Sequence, residues 1–345
     1  MNTQGPVRLA IHGCGGHAIN HMAFLPDANL LEVVALSDMQ TKSLDLATAT
    51  LMGAGRPAPA IQCHSLKELL QMPDIDAVFI ATPDEFHAEE ARVALRAGKH
   101  ILAEKPLAVN DGQLYSIGES VDFARENDLI FLTCHPRRFD PRYVELRRRL
   151  PDLTTIYGGV SAVMFNFEYP APTDGWKNER GLLIDHVSHE VDLMRFVLSF
   201  EDGHPFSFQK VSDTAARYEV TGHAEENVSI HFSGDRTEKI PSWNRSRETL
   251  RIIFERGEAF VTSRKPGVFH RAIGETHFDR VHVSTPGNHF EYYRSVVENF
   301  ALAIRREAPP YVSGKEMFVN AAAGVKLTLG IDFHEHFAIL PSEDY

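Results

Sequence analysis

Two stretches of this chain hold residue types suited to redox chemistry on a small molecule. Gly13-Cys14-Gly15-Gly16-His17-Ala18 follows the apolar run Val7–His12 and opens a helical segment. A glycine turn after a first strand lets backbone N–H groups approach a dinucleotide pyrophosphate, and the following helix adds positive potential. Ala103-Glu104-Lys105-Pro106-Leu107 follows a second apolar run, His100–Ala103. Strand ends in an open α/β sheet face the ligand crevice, so Lys105 is delivered to the same place as the cofactor cradle. A lysine beside a nicotinamide can hydrogen-bond a substrate hydroxyl and lower its pKa. The plainer alternative is a surface lysine in a loop.

The glycine pattern is GxGxxA, with Ala18 in the third slot, where a small residue allows close helix–strand packing. Alone it is a weak signal, because methyltransferases also use glycine-rich turns. Its context is stronger. The second apolar run ends at Asp38, where an acidic residue would bind the ribose hydroxyls. A carboxylate there favours NAD and repels a 2′-phosphate. Lys42, shortly after it, keeps NADP open.

A third stretch lies far downstream. Asp185 and His189 stand at i, i+4 and so share one face of a helix, which Asp192 continues. His189 is the candidate proton acceptor because imidazole titrates near neutrality. Asp185 would orient it or bind the substrate. Val187, Val191, Met194 and Leu198 form an apolar stripe on the same helix, so an ordinary amphipathic helix explains the pattern about as well. His186, His189 and Glu190 also sit close together, but without an HExxH pattern or a nearby cysteine pair no metal is expected.

The elements that must position these residues follow from composition and periodicity. The 345 residues are 43% hydrophobic and 24% charged, enough for a sizeable core and, as a prior, two domains. A net charge of −12 argues against nucleic acid or an anionic membrane as partner. Cys14, Cys63 and Cys134 form no CxxC pair, which suits a reducing cytoplasm. Met1–Pro6 has no signal-peptide pattern, and no apolar run is long enough for a membrane helix.

Residues 1–135 alternate apolar runs with helical patterns. Val7–His12, Leu31–Ser37, Ala77–Ala81, His100–Ala103 and Leu129–Thr133 read as strands; Thr41–Met52, Glu85–Ala97 and Gln113–Glu126 read as helices. Gly98 would end the second helix, and Asn110 or Asp111 would cap the third. This predicts an α/β domain with a doubly wound parallel sheet. Residues 136–345 differ. Arg137–Arg149 is basic with helical potential. Gly159–Glu168, Gln209–Val220, Asn227–Phe232, Thr249–Phe254 and Arg280–Ser284 read as antiparallel strands. Gly181–Phe200, Phe290–Arg306 and Gly314–Glu335 read as helices. This half is expected to be an α+β domain.

Taken together, these motifs resemble the Gfo/Idh/MocA oxidoreductases, the relatives of glucose-fructose oxidoreductase and inositol dehydrogenase. The likeness rests on the GxGxxA turn with His21 after it, Asp38, Ala81-Thr82-Pro83 with His87, and Ala97-Gly98-Lys99-His100 leading into Glu104-Lys105-Pro106. It continues through Arg137-Arg138-Phe139-Asp140-Pro141 and the stretch Asp185–Asp192. The Lys-Pro step combined with the Asp-x-x-x-His helix is the specific part.

The resemblance implies an N-terminal Rossmann domain that binds NAD or NADP. It also implies a C-terminal domain with a large open, mainly antiparallel sheet that builds homodimers or homotetramers. It places the catalytic lysine, aspartate and histidine on Lys105, Asp185 and His189. Gly13, Gly15, Gly16, His17, Ala18, Asp38, Thr82, Pro83, His87, Glu104 and Lys105 would border the cofactor. Arg138, Asp185 and His189 would bind the substrate, and the Lys105-Pro106 bond is often cis in relatives. The expected reaction is hydride transfer between the nicotinamide and a secondary alcohol of a sugar, inositol or related polyol. The family also contains NAD-dependent glycosidases and non-catalytic dinucleotide-binding regulators. Ser242-Trp243-Asn244-Arg245-Ser246-Arg247 matches no specificity pattern; it would bind a negative substrate group, or serve as a hairpin loop or subunit contact.

Overall fold

The computed structural model describes residues 5–170, 181–200, 204–224, 227–237, 247–285 and 291–335. The chain forms two compact units.

The first unit takes in the chain up to Pro136, together with helix α8 (Glu291–Ile304) and the start of α9 (Gly314–Thr328) as far as Phe318. Six parallel strands make its sheet: β1 (Val7–His12), β2 (Leu31–Ser37), β3 (Ile61–Cys63), β4 (Ala77–Ile80), β5 (His100–Ala103) and β6 (Phe131–Thr133). Their order is β3-β2-β1-β4-β5-β6, that of a dinucleotide-binding Rossmann sheet. Every residue of β4 and β5 is buried, as inner parallel strands covered on both faces require.

Helices α1 (Gly16–Met22), α2 (Thr41–Gly53), α3 (Leu66–Leu70), α4 (His87–Arg96) and α5 (Asp111–Glu126) link the strands. Asn110, rather than Asp111, caps α5: its side chain accepts the Gln113 N–H at 2.9 Å. Gly98, at φ +74°, stops the chain just past α4, as its position predicts.

The second unit is built on a nine-stranded mixed sheet. Its strands are β7 (Val160–Pro170), β8 (Phe206–Asp213), β9 (Arg217–Ala224), β10 (Val228–Thr237), β11 (Arg247–Phe254), β12 (Gly257–Thr262), β13 (Lys265–Ala272), β14 (Asp279–Val281) and β15 (Phe333–His334). The order is β14-β13-β12-β11-β7-β10-β9-β8-β15, with only β7 and β10 parallel. Ile230, Val163, Ile252 and Ala259 form one buried cross-strand row. One residue along, His231, Met164, Arg251 and Phe260 form a half-buried row on the opposite face. Helices α6 (Pro141–Tyr157) and α7 (Leu183–Leu198) complete this unit with the remainder of α9.

Two expectations, the strand Gln209–Val220 and the helix Gly314–Glu335, are corrected, and the helical potential of Arg137–Arg149 is realised. Gln209–Val220 is not one strand but the hairpin β8–β9. The Thr214 hydroxyl turns the chain by accepting the Arg217 N–H at 3.0 Å, without a glycine or proline to announce it. The final helix stops at Thr328 rather than Glu335, because Gly330 adopts φ +77° and Phe333–His334 joins the sheet edge. The basic stretch Arg137–Arg149 is a short 3-10 turn (Pro136–Phe139) followed by α6, with Asp140 as cap and Pro141 at its first position. Its arginines are partnered, Arg137 with Glu248 and Arg148 and Arg149 with Glu145. Among the described residues no helix is long and apolar enough to cross a membrane.

Candidate active site

The glycine turn sits where β1 and β4 come closest. Gly13 has φ +86°, and a Cβ there would lie 2.5 Å from Thr82 N and 2.6 Å from Ala81 C. The Ala81–Thr82 backbone leaves no room for a side chain. Gly15 and Gly16 differ: a Cβ on either would meet nothing within 4 Å. They and His17 are exposed, whereas Ala18 in the third slot is wholly buried against the sheet.

Asp38, at the end of β2, is tied to this turn. Its Oδ2 accepts the Cys14 N–H at 2.8 Å and its Oδ1 accepts the Gln40 N–H at 2.8 Å. Burial, then the nearby Asp38 charge, pushes the Cys14 thiol up to about 12, so Cys14 is no nucleophile.

Beside the turn runs a chain of polar side chains from β1, β2, α4 and the β4–α4 connection. His12 Nδ1 lies 3.0 Å from Ser37 Oγ, and its Nε2 lies 3.2 Å from Glu90 Oε1. Glu90 Oε2 in turn accepts the Thr82 hydroxyl. Pro83 is exposed. His87 is buried; its ring nitrogens lie 2.8 Å from Pro106 O and 2.8 Å from Thr82 O. It therefore braces the β4–α4 turn against the segment after Lys105.

From His100 to Ala108 every residue is buried except Lys105. The Lys105–Pro106 peptide bond is cis. Glu104 is buried; its Oε1 lies 2.9 Å from His21 Nε2 and its Oε2 accepts the Lys105 N–H at 3.3 Å. Burial alone would raise the Glu104 carboxyl. The His21 hydrogen bond, with the charges of His17, His21 and Lys105, outweighs it and holds the group well below the ordinary carboxylate range. Cys134 lies behind the pair, its Sγ 3.9 Å from His21 Nε2, and burial beside Glu104 pushes its thiol up.

In the second unit, α7 is buried continuously from Leu182 to Arg195 with two exceptions, Asp185 and His189. The i, i+4 pair is what this helix offers to solvent along more than three turns. Its other acidic residues and His186 are committed elsewhere. Asp192 accepts Arg138 Nε and Nη2 at 3.0 and 2.8 Å and Asn320 Nδ2 at 2.9 Å. Arg138 is thus buried and braces α7 through Asp192. His186 packs among Phe167, Tyr169 and Tyr218. Glu190 accepts the Tyr218 hydroxyl, and burial pushes its carboxyl up to about 8. His186 and Glu190 are therefore core residues. Residues 242–246 of the polar Ser242–Arg247 segment lie outside the described residues; Arg247 opens β11, 3.6 Å from Glu168.

Residues 7–135 match a family model described as GFO_IDH_MocA, oxidoreductase family, NAD-binding Rossmann fold. The chain is 35% identical over 159 residues to a 1,5-anhydro-D-fructose reductase of Ensifer adhaerens, covering 44% of this chain and 45% of that protein. It is 28% identical over 275 residues to a scyllo-inositol 2-dehydrogenase (NAD(+)) of Bacillus subtilis, covering 76% and 77%. Matches to further curated relatives span between 38% and 58% of those proteins' lengths. In fold, the chain superposes on apo scyllo-inositol dehydrogenase from Lactobacillus casei with a TM-score of 0.75 at 18% identity, covering 96% of this chain and 99% of that one.

Over residues 7–135 the chain matches the NAD-binding Rossmann part of the Gfo/Idh/MocA oxidoreductases.

As in that family, its first unit is an NAD-binding Rossmann fold, and the residues present fit a dinucleotide. Gly15 and Gly16 leave open the surface that a Cβ would fill, and the first turn of α1 has backbone N–H groups with no intrahelical acceptor. The first unit brings Gly13, Asp38, Thr82, His87, Glu104 and Lys105 together at the C-terminal ends of β1, β2, β4 and β5. The second sets Asp185 and His189 on adjacent turns of α7. Sequence reasoning did not find His12, Glu90 or Cys134 as parts of this machinery, and it noted His21 without a role. Local hydrophobic periodicity gives no hint of contacts that span 78 to 113 residues.

Proposed function

We propose that this chain is an NAD-dependent dehydrogenase that oxidises a secondary alcohol of a sugar, inositol or related polyol, reversibly. The observation that carries this reading is selective exposure. Lys105 stands out from a buried run of nine residues, His100–Ala108, and Asp185 and His189 are the exceptions in a helix otherwise buried from Leu182 to Arg195. His186, Glu190, Asp192 and Arg195 on the same helix are buried, whereas these three keep part of their surface open, as acid–base chemistry on a bound ligand requires.

In this mechanism His189 takes the hydroxyl proton as the C–H bond breaks. Lys105 donates a hydrogen bond to the developing alkoxide, and Asp185 orients the imidazole or a neighbouring hydroxyl. NAD, when bound, supplies the hydride acceptor. Asp38 holds the ribose hydroxyls and disfavours a 2′-phosphate, which makes NAD rather than NADP the preferred cofactor. Arg138 serves the substrate side indirectly, by fixing α7 through Asp192. The enzyme works in the cytoplasm, where the free thiols of Cys14, Cys63 and Cys134 stay reduced. It assembles as a homodimer or homotetramer.

The test is NADH formation with a panel of inositols, hexoses, amino sugars, sugar phosphates and uronic acids, using NAD and NADP in parallel. A clear rate with one polyol and NAD supports the reading. No rate with any of them, with NAD held tightly through purification, favours a glycosidase that oxidises its substrate only transiently.

A further inference from the structure

His21, Glu104 and Cys134 form a buried cluster whose His nitrogen, carboxylate oxygen and sulfur all lie within 4.8 Å of one another. Their exposures are 1%, 5% and 1%. Three different elements contribute them: α1, the end of β5 and the segment after β6. Burying a carboxylate is unfavourable unless donors surround it, so the cluster needs a reason.

The geometry supplies one. The two oxygens of Glu104 divide their work. Oε1 lies 2.9 Å from His21 Nε2, while Oε2 accepts the backbone N–H of the next residue, Lys105, at 3.3 Å. His21 Nδ1 is buried with no partner, so Nε2 is the nitrogen that carries the proton and donates it to Glu104. The ring is gripped by Phe79 and Tyr293, with centroids 4.6 and 4.4 Å away. The imidazole is therefore fixed in place, the carboxylate is fixed by the imidazole, and the carboxylate grips the backbone of Lys105, the one half-buried residue in an otherwise buried run.

We infer that His21 and Glu104 are positioning residues for Lys105: His21 holds the Glu104 carboxylate, which holds the Lys105 backbone at the orientation that presents its ammonium to the substrate. This inference rests on the proposed dehydrogenase chemistry for its catalytic consequence, but the backbone restraint can be measured without any turnover. A side chain placed about 1 Å off its productive geometry loses a large part of its rate contribution, and a two-bond carboxylate brace is a direct way to prevent that.

Hydrogen–deuterium exchange on the whole protein, read in peptides spanning His100–Ala108, tests the restraint. In parallel, kcat, KM and the NADH dissociation constant are measured with a polyol that the wild type oxidises. Four variants are compared: His21→Leu, His21→Gln, Glu104→Gln and Glu104→Asp. His21→Leu and Glu104→Gln should speed exchange at Lys105 and lower kcat, each by about tenfold, with KM and NADH affinity little changed. His21→Gln keeps a donor near the Nε2 position and should restore most of both.

A purely packing role between Phe79 and Tyr293 predicts the reverse order, with apolar Leu tolerated better than Gln, and that order overturns the inference. So does unchanged exchange at Lys105 in a folded Glu104→Gln protein. If His21→Leu does not fold, the Glu104 pair decides alone: Asp, which shortens the reach by one methylene, must also loosen Lys105. Stoichiometric zinc in the purified protein would make the trio metal ligands and likewise overturn the inference. If the wild type oxidises no polyol, the proposed activity fails, while the exchange result still decides the restraint.

Discussion

The Cys14 amide donates to Asp38 Oδ2 at 2.8 Å, so the carboxylate that would bind the cofactor's ribose also ties the glycine turn to the end of β2. The two roles can be separated by substitution. Asn in place of Asp38 retains an acceptor for the Cys14 amide but removes the negative charge that repels a 2′-phosphate. Asp38→Asn should weaken NAD modestly and shift the NAD/NADP affinity ratio towards NADP. Asp38→Ala should weaken both, NAD more, and loosen the turn. Fluorescence titration with NADH and NADPH checks this; equal losses for both cofactors in Asp38→Ala would remove Asp38 from the ribose contact.

Glu190 makes stability depend on pH in an unusual direction. Its carboxyl, ordinarily near 4.5, is pushed up to about 8 by burial, aided by the Glu248 charge and opposed by the Tyr218 hydrogen bond and Arg137. Between those two values the unfolded chain has lost this proton and the folded chain keeps it. The group's contribution is therefore complete below pH 4.5 and is lost as pH rises through the window to about 8. Glu190→Gln removes the term. In thermal melts from acid to mildly alkaline pH, the stability of the variant relative to wild type should rise with pH, by at most about 1.4 kcal/mol per unit. A gap that stays constant or shrinks with pH would contradict the assignment.

Arg138 and Asp192 form an ion pair with side-chain exposures of 7% and 1%, further bonded to Asn320. Removing one partner strands a buried charge. Asp192→Leu should cost about 3–5 kcal/mol in urea unfolding, and adding Arg138→Met should restore much of it. If the double variant is no more stable than Asp192→Leu, the pair is not the brace of α7 described here.

The sequence made the first unit legible because its signals are local. An apolar run followed by Gly13–Ala18, the glycine after α4, and the cap before α5 each act within a few residues. The Lys-Pro step and the Asp-x-x-x-His helix were equally visible, since i, i+4 spacing alone puts Asp185 and His189 on one face. The second unit was harder. Thr214 turns its hairpin through a side-chain hydroxyl, and the β12–β13 hairpin lies in sequence too polar to stand out as strand. The support behind Lys105 was invisible for a different reason. His21, Glu104 and Cys134 come from α1, the end of β5 and the segment after β6, and no local pattern encodes a contact between residues 83 positions apart. Glu190 looked like a potential ligand beside His189, yet burial against Tyr218 makes it part of the core.

The roles of Lys105 and His189 are tested most directly by single-turnover oxidation of an accepted polyol by Lys105→Ala and His189→Ala, with NADH affinity measured on the same preparations. Each variant should lose a factor of about 10² or more in the chemical rate while binding NADH as the wild type does. A variant that binds NADH normally and oxidises the polyol at the wild-type rate would contradict the assignment of that residue to the reaction.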